Sequence, residues 1–65
     1  MTSEDRAARK ALLSLARWHR REAKKWKRMA ESTMDQAVIA SRTLVAHIHL
    51  ESAREAERRA RRIGK

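Results

Sequence analysis

The stretch 29–44, MAESTMDQAVIASRTL, decides whether the chain folds as a hairpin or as one long helix. It contains neither glycine nor proline, the residues that most often end helices. Thr33 and Gln36 nevertheless fit a capping box, and Ser32 with Asp35 offers the same chemistry one residue earlier. Serine and threonine inside an uninterrupted helix cost on the order of tenths of a kcal/mol each. The local signals therefore favour a turn but leave a continuous helix open.

The distribution of apolar side chains around each half of the chain separates these alternatives. At roughly 100° per residue, one stripe of the first half contains Ala8, Leu12, Leu15, Ala23, Trp26 and Ala30. One stripe of the second half contains Met34, Ala37, Ser41, Leu44, Val45 and Ile48. On a continuous helix the two stripes would differ in direction by about 50–60°. On a single long helix the two stripes would thus not form one straight apolar face, whereas a hairpin turns them towards each other.

The composition predicts helix throughout, because the chain has no proline, one glycine and no sustained alternation of period two. We therefore expect an all-α protein of one domain, folded as a two-helix antiparallel hairpin. Thr2 or Ser3 is the expected N-cap of the first helix. The alternative is one long helix in a coiled-coil dimer. The expected elements of the domain 1–65 are a helix over 3–31, a turn near 31–33 and a helix over 33–62.

A second apolar stripe on the second helix indicates self-association. Ile39, Ala46, Leu50 and Ala53 lie nearly opposite the first stripe, and a hairpin buries one stripe of each helix. Leaving Ile39 and Leu50 exposed would forfeit about 1.5–3 kcal/mol each, and 65 residues support only a thin core. We expect a homodimer that forms a four-helix bundle. The predicted oligomer interface comprises Ile39, Leu44, Val45, Ile48 and Leu50.

The charge of the chain points to a polyanionic partner. It has 17 Lys and Arg against 8 Asp and Glu, a net charge of +9 with neutral histidines. The first 31 residues carry ten cations, which project onto about half of the helix circumference. Such like charges repel one another and match a phosphate backbone, whose neutralisation releases counterions. The predicted nucleic-acid-binding residues are Arg9, Lys10, Arg17, Arg20, Arg21, Lys24, Lys27, Arg28 and Trp18.

The two tryptophans lie inside the basic run of the first helix. Trp26 falls in the middle of the apolar stripe and is expected in the core. Trp18, at the boundary, either covers the seam between the helices or stacks on a base or ribose. The C-terminal run differs because its charges can pair along one helix at the i+3 and i+4 spacings. The expected pairs are Glu51 with Arg54, Glu55 with Arg58 or Arg59, and Glu57 with Arg61.

The sequence lacks the residues of most catalytic and metal sites. It has no cysteine, no glycine-rich phosphate loop and no carboxylate pair in apolar surroundings. His47 and His49 are two apart, so on a helix they cannot share one ion. His19 lies on the apolar face of the first helix, and a histidine pair formed across the hairpin or across a dimer interface is an alternative. We expect no enzyme activity, no metal and no cofactor.

Three binding functions compete at this point. The first is a small cytoplasmic nucleic-acid-binding protein that contacts the DNA or RNA backbone through the cationic face of the first helix. The second is a protein-interaction module, such as a phage or plasmid accessory factor, that docks on a host protein or an acidic protein surface through the apolar stripe of the second helix. The third, a helix on a membrane surface, ranks last because its stripe is largely alanine. The N-terminus lacks the apolar run of a signal peptide, and no stretch is apolar enough to span a bilayer.

Overall fold

Two long helices lie side by side in this protein. The computed structural model describes residues 1–64, so Lys65 lies outside the described residues. Helix α1 spans Ser3–Glu31 and helix α2 spans Gln36–Arg62. The Cα atoms of the described chain occupy a rod of 50 × 13 × 10 Å.

The helices run antiparallel, because the two ends of the chain meet. Gly64 has a φ of +82°, and a Cβ added there would come within 2.6 Å of the side chain of Met1. At the other end of the rod, Arg42 of α2 reaches the last turns of α1. The predicted two-helix hairpin is confirmed, and the alternative of one uninterrupted helix is wrong.

A capping box begins α1. The N–H of Asp5 donates to Thr2 Oγ1 at 3.0 Å, and the N–H of Thr2 donates to a carboxylate oxygen of Asp5 at 3.2 Å. Glu4 and Asp5 also place negative charge at the positive end of the helix dipole. Of the two expected N-caps, Thr2 and Ser3, the structure selects Thr2.

A single carbonyl group, that of Met29, holds the end of α1 without a glycine. Its oxygen accepts hydrogen bonds from the N–H of Ser32 at 3.4 Å and from Ser32 Oγ at 2.8 Å. It also accepts from the guanidinium of Arg42 at 2.6 Å. Ser32 has φ −90° and ψ 3°, so the chain turns without a left-handed residue. The charge of Arg42, which sequence analysis left without a role, meets the negative end of the α1 dipole.

The N-cap of α2 is Asp35, which corrects the predicted capping box on Thr33. Asp35 Oδ1 accepts from the N–H groups of Ala37 at 3.0 Å and Val38 at 3.3 Å. Its own N–H donates to Thr33 Oγ1 at 3.2 Å. Helix α2 therefore begins at Gln36, three residues later than predicted. Asp35 is a better N-cap than Thr33 here because its carboxylate accepts hydrogen bonds from two N–H groups and brings negative charge to the positive end of the α2 dipole.

Alanines form the contact between the helices. Among residues 1–64 every buried side chain is an alanine, and six of the seven recur at seven-residue intervals. A seven-residue repeat keeps one side of a helix facing its partner, and methyl groups let the two backbones approach closely. We call this contact the alanine seam. It consists of Ala16, Ala23 and Ala30 of α1 and Ala46, Ala53, Ala56 and Ala60 of α2.

The structure turns a different face of α2 towards α1 than the one predicted. Met34, Leu44 and Ile48 of the expected inward stripe are 95%, 58% and 53% exposed. Ala46 and Ala53, which were assigned to the outward stripe, are buried instead. The prediction favoured the larger side chains, but large side chains in the seam would hold the helix axes apart.

We expect Ala53→Leu to destabilise the hairpin by about 1–3 kcal/mol, the usual cost of overpacking. Ala53 is 0% exposed at the centre of the seam, so a leucine there must push the helices apart. Ala40→Leu is the matched control, since Ala40 is exposed on α2. Leucine and alanine have similar helix propensities, so the control should change the free energy of unfolding by less than about 0.5 kcal/mol. Urea unfolding followed by circular dichroism measures the free energy of unfolding of both variants. Equal values for Ala53→Leu and Ala40→Leu would contradict the close packing at the alanine seam.

Candidate nucleic-acid interface

Ten cations of α1 form one continuous surface, which we call the cationic ridge. It consists of Arg6, Arg9, Lys10, Arg17, Arg20, Arg21, Lys24, Lys25, Lys27 and Arg28, all of them exposed. At about 100° per residue, they occupy about half of the helix circumference, from the edge of the alanine seam to the side that faces away from it. The structure thus leaves all eight Arg and Lys residues of the predicted interface open to solvent.

Arg20 is the ridge residue that already has a partner. Its Nη2 donates to Glu57 Oε1 at 2.6 Å and its Nε donates to Oε2 at 3.3 Å, a bidentate pair that joins α1 to α2. The hydrogen bond with Glu57, and then its charge, raise the pKa of Arg20. The hydrogen bond from Arg20 likewise lowers the pKa of Glu57. The structure thereby corrects the predicted pairing of Glu57 with Arg61.

The other nine ridge cations lack such partners. Within residues 1–64, none of the nine has a carboxylate oxygen within 4.0 Å. Two of the acids of α1, Glu4 and Asp5, lie in its first turn, where Asp5 belongs to the capping box. The ridge consequently presents positive charge that the described part of the chain does not balance.

The cations of α2 are arranged differently, and the pairs expected there are largely confirmed. Arg54 bonds Glu51 at 2.8 Å. Arg58 and Arg59 bond the two oxygens of Glu55 at 2.7 and 3.1 Å. The hydrogen bonds from Arg58 and then Arg59 lower the pKa of Glu55. These arginines are neutralised along their own helix, so they are weaker candidates for phosphate contact than the ridge.

Trp18 of α1 packs against His49 of α2 and also remains open to solvent. Its ring lies edge-on to His19, with centroids 4.9 Å apart, and edge-on to His49, with centroids 5.6 Å apart. The side chain is still 45% exposed. Both roles proposed for Trp18 from the sequence are therefore compatible with its position. Trp26, which was expected in the core, is half-buried and lies about one turn from Ala23 and from Ala30 of the alanine seam.

His19 and His49 face each other across the hairpin. Their Nδ1 atoms are 2.8 Å apart, a hydrogen bond in which one Nδ1 carries the proton and the other accepts it. This is the cross-hairpin pair that the sequence left as an alternative. In the described part of the chain, no three His, Asp or Glu side chains gather as a metal ion would require.

A groove of about 910 Å³ runs along one side of the hairpin, between the ridge and α2. We call it the lysine groove. Its α1 wall is Arg20, Lys24 and Lys27, its floor is Ala23, Ala30 and Ala46, and its α2 wall is Ile39, Thr43, His47 and Leu50. Ile39 and Leu50, expected to be exposed on an unpaired stripe, are half-buried here.

The opposite side of the hairpin presents apolar side chains, and we call it the apolar side. Leu15 and Ile48 line a smaller groove there, Leu44 lies one turn before Ile48, and Trp18 packs on His49 nearby. The structure therefore divides the predicted oligomer interface. Ile39 and Leu50 belong to the lysine groove, whereas Leu44, Ile48 and the half-buried Val45 belong to the other face of α2.

The pair of Arg20 with Glu57 should make stability depend on pH at acid values. The pKa of Glu57 is lower in the folded chain than its ordinary value near 4.5, so the unfolded chain binds more protons as the pH falls. The stabilisation is therefore complete above about pH 4.5 and is lost as the pH falls through the lowered pKa.

Glu57→Gln should accordingly flatten the fall in melting temperature between about pH 5 and pH 3. A smaller slope should remain because the pKa of Glu55 is lowered as well. Glu31→Gln, which removes an exposed carboxylate without an ion pair, is the control. Melts followed by circular dichroism test this; identical pH profiles of wild type and Glu57→Gln would contradict it.

Within residues 1–64, neither helix has a segment that is long and apolar enough to cross a bilayer. The sequence matches no protein-family model, no curated protein and no solved structure.

Proposed function

We propose that this protein binds nucleic acid by placing the cationic ridge against the phosphate backbone. The observation that carries the proposal is that nine exposed cations of α1 have no carboxylate partner in the described chain, whereas Arg54, Arg58 and Arg59 of α2 do. Each phosphate that a cation neutralises releases counterions, which favours binding. The role is one of binding, without catalysis, in the cytoplasm.

The spacing of the outermost cations supports backbone contact. Lys10, Arg17, Arg21 and Arg28 are seven, four and seven residues apart, so they form a nearly straight row along the helix. The row spans about 27 Å at 1.5 Å per residue. One strand of B-DNA carries about eight phosphates over that length, so each cation of the row has phosphates within its reach.

The test compares two triple variants that lower the net charge equally. R17Q/R21Q/R28Q removes three unpaired ridge charges, whereas R54Q/R58Q/R59Q removes three that are paired with glutamates. We expect the ridge variant to reduce the slope of log K against log salt by about 2.7 on duplex DNA, since each phosphate contact contributes about 0.9. The α2 variant should change the slope by less than about 1.

Fluorescence anisotropy with a duplex DNA and a hairpin RNA, at several salt concentrations, gives these slopes and shows which nucleic acid is preferred. Circular dichroism confirms that both variants fold. An equal effect of the two triple variants would indicate general charge attraction rather than a ridge interface. Absence of binding to either nucleic acid at low salt would exclude the function.

We also propose that two copies associate through the apolar side to form a four-helix bundle. Leu15, Leu44 and Ile48 are exposed there, and the buried seam consists of alanines, which bury little apolar area each. A stable interface covers about 800 Å² per partner, which on a rod 50 Å long requires most of one long side. No ridge residue lines the groove on the apolar side, so a dimer formed there would leave both ridges open for phosphates.

Ile48→Asp should therefore convert a dimer into a monomer, because the carboxylate would be buried unpaired at the interface. Met34→Asp is the control: Met34 is 95% exposed in the turn, off the apolar side. Sedimentation equilibrium at micromolar concentrations should give twice the monomer mass for wild type and Met34→Asp, and the monomer mass for Ile48→Asp. A monomeric wild type with an unchanged helical signal would rule out the dimer.

A second candidate function is docking on a protein partner through α2. The lysine groove favours it, since Ile39 and Leu50 form an apolar wall there beside exposed lysines. This function uses a different surface from the outer row of the ridge, so the two candidates do not exclude each other.

A further inference from the structure

The lysine groove combines three features, and its lysines, unlike Arg58 and Arg59 in the groove on the opposite side, have no carboxylate partner within residues 1–64. Its floor consists of alanines of both helices. Its α2 wall has two large apolar side chains, Ile39 and Leu50, which are half-buried at its two ends, with Thr43 and His47 between them. Its α1 wall is cationic, with Lys24 and Lys27 one turn apart. A ligand that fills it must therefore be apolar along one edge and anionic along the other.

We propose that the lysine groove binds an amphipathic helix of a partner protein, one whose apolar stripe is flanked by acidic residues. The inference rests on the second candidate function and assigns a chemistry to its partner. It does not depend on nucleic-acid binding.

The α2 side of the groove presents a surface on which another helix can pack. Ile39, Thr43 and Leu50 of its wall and Ala46 of its floor are four, three and four residues apart in sequence order, the spacing with which one helix presents side chains to another. They extend over about 16 Å, which is three helical turns. Because the floor residues are alanines, large side chains of a third helix can pack over the seam in the groove between α1 and α2, as ridges enter grooves in helix packing.

The charges of the groove select an acidic partner over a second copy of this chain. Arg20 is engaged by Glu57, so Lys24 and Lys27 supply the free positive charge. A second copy carries a net charge of +9 and would meet repulsion there. Glu31, the acid of the groove lining, lies at the turn end, away from the middle of the lysine wall. Carboxylates spaced one turn apart on the partner helix would face both lysines.

The apolar wall also argues against nucleic acid as the occupant of the groove. A nucleic-acid backbone would neutralise Lys24 and Lys27 but would leave Ile39 and Leu50 exposed to water. A helix with an apolar stripe covers these side chains, each of which contributes about 1.5–3 kcal/mol when fully buried. The outer row of the ridge offers phosphates the same positive charge without an apolar wall beside it.

The probe for the test is a hydrocarbon-stapled helical peptide of about 18 residues, because shorter free peptides are not helical in water. It carries leucines at i, i+4, i+7 and i+11 and glutamates along one flank. A second peptide has lysines in place of the glutamates, and a third has the composition of the first in scrambled order. We expect the wild-type chain to bind the first peptide at least about tenfold more tightly than the other two.

Two charge-reversal variants then locate the site. K24E/K27E, in the groove, should weaken binding of the acidic peptide by about tenfold or more, because two attractive pairs become two repulsive ones. R21E/R28E changes the net charge by the same amount outside the groove and should retain peptide binding while weakening duplex DNA binding. All four positions are exposed, so both variants should fold, which circular dichroism verifies.

Three results would overturn the proposal. Equal binding of the acidic and scrambled peptides would show that the groove does not recognise an amphipathic helix. Unchanged affinity in K24E/K27E would place the peptide elsewhere. Complete displacement of the peptide by duplex DNA, in R21E/R28E as in wild type, would assign the groove to nucleic acid. Failure of the chain to bind nucleic acid would instead end the first function and leave these peptide measurements unaffected.

Discussion

Close packing of two helices along the alanine seam is the contact on which the other features of the hairpin depend. A methyl group contributes only about 0.8 kcal/mol when buried, so the seam matters chiefly because it sets the distance between the backbones. At that distance, polar side chains span the hairpin. The contacts are Arg20 with Glu57, His19 with His49, and Arg42 with the carbonyl of Met29. Leucines in the seam would separate the axes and stretch all three contacts.

Features that follow from local periodicity could be predicted from the sequence, namely two helices and the segregation of cations on the first. The face that α2 turns towards α1 could not be predicted in this way. That helix is apolar on more than one side, and periodicity alone favours the stripe with the larger side chains. The choice depends on which stripe fits the alanines of α1, a property of the pair of helices. The roles of Arg42 and Glu57 were inaccessible for the same reason, since both residues bond across the hairpin.

The rotation of α2 changes what the surface offers. With Leu44 and Ile48 turned inward, as predicted, Ile39 and Leu50 would have formed an outer apolar stripe with no defined neighbour. With Ala46 and Ala53 inward, Ile39 and Leu50 lie across a groove from Lys24 and Lys27, and Leu44 and Ile48 are exposed. One expected interface thus becomes two surfaces of different chemistry, a cationic groove and an apolar side.

The two helices differ in how far their positive charges are paired with carboxylates, and this difference links the stability of the fold to binding. On α2, Arg54, Arg58 and Arg59 meet glutamates one turn away, whereas ridge residues three or four positions apart have Cβ atoms about 5–6 Å apart and, except for Arg20, no carboxylate partner among the described residues. That spacing is shorter than the Debye length of about 8 Å at physiological salt, so solvent ions do not fully screen their repulsion. Without a bound polyanion, this repulsion destabilises the hairpin. A polyanion that binds the ridge removes it and therefore stabilises the fold as it binds, in proportion to its concentration relative to its dissociation constant.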